Sequence, residues 1–187
     1  MSKAEGRYLP WEAVGNSSKK NTTPSRKNLG KPASAKTLIL GVGNVLMGDE
    51  GIGVLALKHL EAAGLGTKAE LVDGGTGGFH LLGYFLDYER LILIDAASDG
   101  KPPGTVSRIK PRFAADFPQS LVAHDIGLKD LIESAVLLGA LPKVDLITVS
   151  IGEIRPMTLE LSAEVAAAIP AIQAAVEACL TDTSGVP

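Results

Sequence analysis

The chain has 187 residues, 45% of them hydrophobic and 4% aromatic, with a formal net charge of −3. That length suits one domain with its own core. The single cysteine, Cys179, excludes an intrachain disulfide, and no apolar run is expected to reach the roughly 18–20 residues that a bilayer-crossing helix needs.

The charge is unevenly spread. Residues 1–36 hold eight Lys or Arg against two Glu, a net +6, which leaves −9 for the remainder. The stretch "VGNSSKKNTTPSRKNLGKPASAK" is rich in Ser, Thr, Asn, Lys and Pro and has no apolar period. It cannot bury enough surface to offset chain entropy, so residues 1–36 read as a disordered basic extension. The functional alternative is an arm for an acidic partner or nucleic acid; a solvated tail is the reading adopted here, with Leu9-Pro10-Trp11 as a small apolar island. The polar start also lacks the apolar segment of a signal peptide, which makes the cytoplasm the expected compartment. Residues 37–181 are the expected domain and 182–187 a flexible tail.

Within the domain, Thr37 to Gly41 reads as the first strand. A helix follows from about Glu50 to Ala63, with Ile52, Leu55, Ala56, Leu60 and Ala63 on one face, stopped by Gly64 and Gly66. Ala69 to Val72 is the second strand, Asp73-Gly74-Gly75-Thr76 a turn, and Gly77 to Leu86 a short helix. "RLILI", Arg90 to Ile94, is the most apolar strand and ends at Asp95. Pro102-Pro103-Gly104 marks a loop before a strand at Thr105 to Ile109. Pro111 to Ala123 is irregular, Asp125 to Leu138 helical, and "VDLITVSI", Val144 to Ile151, another strand. Leu159 to Leu180 is a long alanine-rich helix that Pro170 kinks or divides. Strands that alternate with helices and lack apolar–polar alternation indicate an α/β fold with a mostly parallel sheet covered on both faces.

The turn after the first strand carries the chemistry. Gly41-x-Gly43 opens like a dinucleotide fingerprint, but Leu46 stands where the third glycine belongs, and no Gly-Lys-Ser/Thr precedes the helix. Asp49 and Glu50 occupy the place a phosphate would take, and two carboxylates repel it. Asp49 suits a helix N-cap and Glu50 suits the positive end of the helix dipole. Capping leaves Asp95 and His124 unexplained. The ends of parallel strands converge on one edge, and ligands bind in the crevice there. Glu50, Asp95 and a loop bearing His124 can reach that edge, and two carboxylates with an imidazole suit a divalent transition metal. For His124, a cap or packed side chain remains the alternative. Asp73 is either an Asx-type turn residue or a further carboxylate at the site edge. His59 and His80 read as structural, and Cys179 as an improbable nucleophile. No His-Glu-x-x-His or Gly-x-Ser-x-Gly signature is present.

At these residues the sequence resembles the hydrogenase maturation endopeptidases, which trim the C-terminus of the [NiFe]-hydrogenase large subunit. The resemblance runs from about Leu38 to Leu180 through "GVGNVLMGDEGIGV", "VDGGTGGFHLLGYF", "LILIDAA", "AHDIGLKDLI" and "SIGEIRPMTLELS". It implies a three-layer α/β/α sandwich with a twisted, mostly parallel sheet, of the phosphorylase/hydrolase-like type. It implies nickel contacts at Glu50, Asp95 and His124, with the nickel belonging to the precursor substrate, and it matches Asp73 to an acidic family position. Asp49 or Asp73 is the candidate general base; alternatively the docked metal itself activates water. The expected partner is the large-subunit precursor, met by a monomer, with neither nucleic acid nor membrane involved. A non-catalytic nickel-sensing or carrier module with the same three ligands is the alternative function. The basic extension goes beyond the family's usual start.

If the extension is only a solvated tail, deleting residues 1–36 leaves the thermal midpoint within a few degrees of the full chain. Differential scanning calorimetry checks this, and a large drop would show that the tail packs on the domain.

Overall fold

Three strands are buried almost throughout because helices cover both of their faces. These are β1 (Thr37–Gly41), β3 (Arg90–Ala97) and β5 (Lys143–Ser150). The edge strands β2 (Glu70–Asp73) and β4 (Val106–Ile109) are only half-buried, and Asp73 at the end of β2 is exposed. The computed structural model describes residues 37–111, 128–139 and 142–182, all within one unit, Ser34–Pro187. The 1–36 extension and His124 therefore lie outside the described residues.

The strand order is β2-β1-β3-β5-β4. The first four pair in parallel, in registers such as Gly41 with Asp73, Gly41 with Ile94 and Asp95 with Thr148; β4 runs antiparallel to β5. The helices are α1 (Ile52–Ala62), α2 (Leu82–Asp87), α3 (Leu128–Leu137), α4 (Ala163–Ala166) and α5 (Ile169–Thr181). Alternate strand residues face opposite ways, so the sheet has two cores. Ile39, Ile92, Ile94 and Ile147 pack with Ile52, Ala56 and Leu60 of α1 and Ile172 and Val176 of α5. Leu38, Leu40, Leu91, Leu93 and Leu146 pack with Phe85 of α2 and Leu131 and Ile132 of α3. Each such Leu, Ile or Phe contributes about 1.5–3 kcal/mol by leaving water. The α/β/α arrangement is the expected one.

Several boundaries differ from the sequence reading. β3 runs through Asp95 to Ala97, because Ala96 and Ala97 continue the buried run; Asp95 lies inside the strand and not beyond it. On α1, Leu57 takes the buried place expected of Leu55, and Ala63 is exposed. The expected long last helix is divided into α4 and α5 and starts at Ala163, because Ser162 is the N-cap of α4 and accepts a hydrogen bond from Val165 N at 3.4 Å. Pro170 sits in the first turn of α5, where its missing N–H costs nothing. Ala163–Thr181 has 19 residues and a mean hydropathy of 1.4, long and apolar enough by composition to cross a membrane, which corrects the expectation of no such run. Alanine raises its hydropathy, while Val165, Ile172, Val176 and Cys179 sit in the core.

Asp145 organises the end of the sheet away from the candidate site. It is fully buried in β5. Arg90 Nη2 donates to its Oδ2 at 2.6 Å and Arg108 Nη2 to its Oδ1 at 2.8 Å. Arg108 also reaches Asp182 Oδ2 at 2.8 Å, and Lys110 pairs with the same carboxylate. The network ties β3, β4 and β5 to the end of α5, so Asp182 is anchored and does not belong to a loose tail. Burial alone would raise the Asp145 pKa, but the hydrogen bonds from Arg90 and Arg108 outweigh it and hold the carboxyl below the usual carboxylate range.

Asp145→Asn leaves Arg90 without its counter-charge and Arg108 with Asp182 alone, a change expected to cost about 3 kcal/mol. The native carboxyl has a depressed pKa, so its contribution is present above the unfolded value of about 3.9 and fades as pH falls through the native value. Urea unfolding should show a large gap between wild type and variant at pH 7, and a gap that narrows below about pH 4.

Candidate active site

The site forms where the strand order reverses. From β1 the chain passes to β2 on one side and then returns to β3 on the other, so the switch point, where such sheets bind ligands, lies between β1 and β3 at their C-terminal ends. Three backbone hydrogen bonds lock the loops there. Val42 N donates to Ile94 O at 2.9 Å, Gly43 N to Gly75 O at 2.8 Å, and Gly74 N to Gly41 O at 2.8 Å.

Glycine makes this closeness possible. A Cβ on Gly53 would lie 2.2 Å from Val42 O and 2.3 Å from Ile94 O, and one on Gly41 would lie 2.2 Å from Gly53 O. The first turn of α1 therefore rests directly on the strand ends. The 3-10 turn just before it, Gly48–Gly51, carries Asp49 and Glu50. Glu50 is 7% exposed, Asp49 4% and Asp95 1%.

The two metal-ligand candidates within the described residues thus flank the same switch point, Glu50 after β1 and Asp95 near the end of β3. Asp95 Oδ1 accepts from Ala96 N at 2.8 Å. By strand parity Asp95 shares the sheet face of Leu91 and Leu93, the face covered by α2 and α3. His124 lies outside the described residues; in sequence it stands four positions before Leu128, where α3 begins on that face. Among the described residues, no three His, Cys, Asp or Glu side chains are grouped closely enough to hold a metal ion.

Asp73 ends β2 beside β1 and is exposed. Its Oδ1 accepts from Gly75 N at 2.8 Å, so the Asx-turn reading is correct and the carboxylate still meets solvent. Asp49 departs from expectation. It caps no helix: the N-cap of its 3-10 turn is Met47, without a side-chain cap, and that of α1 is Gly51. Instead its Oδ1 accepts from Ser162 N at 2.6 Å and from Arg155 Nη2 at 3.3 Å. His59 and His80 are exposed. Burial pushes the Cys179 thiol up to about 11, which keeps it protonated and unsuited to nucleophilic attack.

A second loop borders the acidic turn. Gly48 N donates to Thr158 O at 2.7 Å and Thr158 N to Leu46 O at 3.2 Å, making an isolated bridge between Met47 and Thr158. Around this bridge Leu46, Ile154, Met157 and Leu159 expose large apolar side chains. Sequence reading missed this rim, because a short pairing more than a hundred residues apart leaves no periodic signal.

Residues 54–179 match the family model described as hydrogenase maturation protease. The chain is 34% identical over 120 residues to the hydrogenase expression/formation protein HupD of Rhizobium leguminosarum bv. viciae, a match covering 62% of this chain and 58% of that protein. It is 37% identical over 111 residues to the hydrogenase 2 maturation protease of Escherichia coli K12, covering 58% and 68%. Thus the chain spans little more than half of the HupD relative. Among solved structures, the hydrogenase maturating endopeptidase HybD from E. coli superimposes with a TM-score of 0.68 at 32% identity, over 79% of this chain and 93% of that one.

Gly53→Ala drives a methyl into two strand carbonyls and is expected to cost about 3 kcal/mol, the upper end for an overpacked core. Thermal unfolding followed by circular dichroism reads the loss. An unchanged midpoint would show that α1 can lift off the strand ends without penalty.

Proposed function

The chain belongs to the hydrogenase maturation protease family, and from that premise we propose that it is an endopeptidase that matures a [NiFe]-hydrogenase. Its substrate is the nickel-loaded precursor of the large subunit, from which it removes a C-terminal peptide. The observation that carries this reading is the pair of buried acids, Glu50 and Asp95, at the switch point of the sheet.

Glu50, Asp95 and His124 are the proposed contacts to the precursor's nickel. Carboxylate and imidazole donors suit a divalent transition ion, and both classes bind metal only when deprotonated. Docking should therefore weaken as pH falls below about 6.5, the ordinary range of an imidazole. The nickel is part of the substrate, so only a precursor that has received it offers the full set of contacts.

Hydrolysis adds water to the scissile carbonyl, and the tetrahedral species then breaks its C–N bond to leave a carboxylate and an amine. Asp73 is the proposed general base. It is exposed at the tip of β2, next to the strand that leads into the Glu50 turn, and Gly75 N–H holds one of its oxygens in place. Asp49 is less suited, since its carboxylate is buried and bonded to Ser162 and Arg155. The exposed apolar rim of Leu46, Ile154, Met157 and Leu159 supports a macromolecular substrate, because side chains of this kind gain by being covered. A cytoplasmic workplace and a monomeric enzyme are parts of the same proposal.

Incubation with a nickel-loaded large-subunit precursor, read by intact-mass spectrometry, should show loss of a C-terminal peptide. Glu50→Gln, Asp95→Asn and His124→Ala should each abolish trimming while the fold is retained. Asp73→Asn should slow it by about a hundredfold or more, the scale of a lost general base. Wild-type trimming by all three metal-contact variants would refute the site, and binding without trimming by the native protein would favour a nickel carrier.

A further inference from the structure

We propose that Asp49 is a positioning residue: its carboxylate clamps the Glu153–Ser162 loop onto the turn that carries Glu50. The inference rests on the functional reading above and assigns the neighbouring acid a task other than proton transfer.

Three observations converge on it. First, the carboxylate is nearly inaccessible and its Oδ1 serves two donors on one loop, Ser162 N at 2.6 Å and Arg155 Nη2 at 3.3 Å. Arg155 Nη2 also donates to Glu160 O at 3.0 Å, which closes the loop on itself. Second, the loop is also sewn to the segment that leads into Asp49: Thr158 bonds to Gly48 and to Leu46. Gly48 has φ 62, and a Cβ there would lie 3.3 Å from Arg155 Nη2, so the turn is shaped for this neighbour. Third, Met157 is held at φ 58, a left-handed backbone that a methionine rarely adopts. Its side chain is 88% exposed, so no burial of its own compensates for that backbone. Strain of this kind persists only where the surroundings over-determine it, and the bonds to Asp49 and the Met47–Thr158 bridge are what surround it.

The clamp has two consequences for the site. It fixes the turn in which Glu50 follows Asp49 directly, and it anchors the start of α4, because Ser162 is also that helix's N-cap. The loop and the metal-contact turn therefore move as one piece. A general base needs a lone pair open to water; the Asp49 carboxylate is closed in by the loop it holds.

Asp49→Asn and Asp49→Ala separate the two roles. Asparagine keeps an oxygen to accept from Ser162 N–H but cannot take up a proton, whereas alanine keeps neither. Positioning predicts that the Asn variant trims precursor at least about tenfold faster than the Ala variant, the scale of a lost hydrogen bond to a charged group. Hydrogen exchange gives a readout independent of activity: protection of the Ser162 amide should survive in Asn and fall in Ala, with the protection of β3 unchanged in both. Equal loss of trimming in the two variants, with Ser162 still protected in Asn, would overturn the proposal in favour of a base. Full Ser162 protection in the Ala variant would overturn it by removing the clamp. If the native protein trims no precursor, the functional reading fails while the exchange experiment still tests the clamp.

Discussion

The contact on which the candidate site depends is the seat of Gly53 against the carbonyls of Val42 and Ile94. A parallel sheet leaves its strand ends splayed by twist, and loops leaving them diverge unless something draws them in. Here α1 is brought down until its backbone touches that of two neighbouring strands, an approach only glycine allows. The bonds from Val42 to Ile94, Gly43 to Gly75 and Gly74 to Gly41 then tie three strand ends to each other. Glu50 and Asp95 lie 45 positions apart in the chain, and this closure brings the turn of one and the strand end of the other to the same switch point. No side-chain interaction between them is needed to explain their placement; the backbone does it.

The two ends of the sheet use buried acids differently. Asp145 receives two arginines, and its partners reach Asp182 at the end of α5. That cluster is a staple for the antiparallel edge strand, where β4 has only one neighbour and would otherwise be loosely held. At the other end, Asp49 receives a backbone N–H and one half-exposed guanidinium from a loop. The first arrangement joins regular elements to each other; the second joins an irregular loop to an irregular turn. An irregular pairing has no ladder of backbone bonds to fix its register, so a single charged acceptor can decide where the loop lies.

Much of the sheet was legible in the sequence because two-sided burial writes itself as short runs rich in apolar, β-branched residues without strict alternation. "RLILI" and "VDLITVSI" could hardly be anything else at their length. The same rule failed at Asp95, since an acid after five apolar residues reads as the end of a strand when Ala96 and Ala97 in fact carry it on. The lone acid inside "VDLITVSI" was a signal that went unused: a carboxylate between buried residues demands a cation, and Arg90 at the head of the neighbouring strand was available. The N-cap reading of Asp49 fails because local rules see only local partners. N-cap chemistry is the common fate of an aspartate at a helix start, while its actual donor, Ser162, is 113 residues away. The motif residues Glu50, Asp73, Asp95 and His124 came from resemblance and from the logic of parallel strand ends, and neither source fixes an interatomic distance.

Adjacent acids in one tight turn have different surroundings here, since Asp49 is bonded to Ser162 and Arg155. Were Asp49 and Glu50 both open to the crevice, two like charges would meet there, and part of the attraction for a cation would be spent on holding them together. Enclosing Asp49 behind the Arg155–Ser162 loop removes that conflict, since its charge is answered locally by Arg155. The same bonds join the rim to the Glu50 turn: the loop that exposes Ile154, Met157 and Leu159 is tied through Thr158 to Gly48 and through Ser162 to Asp49.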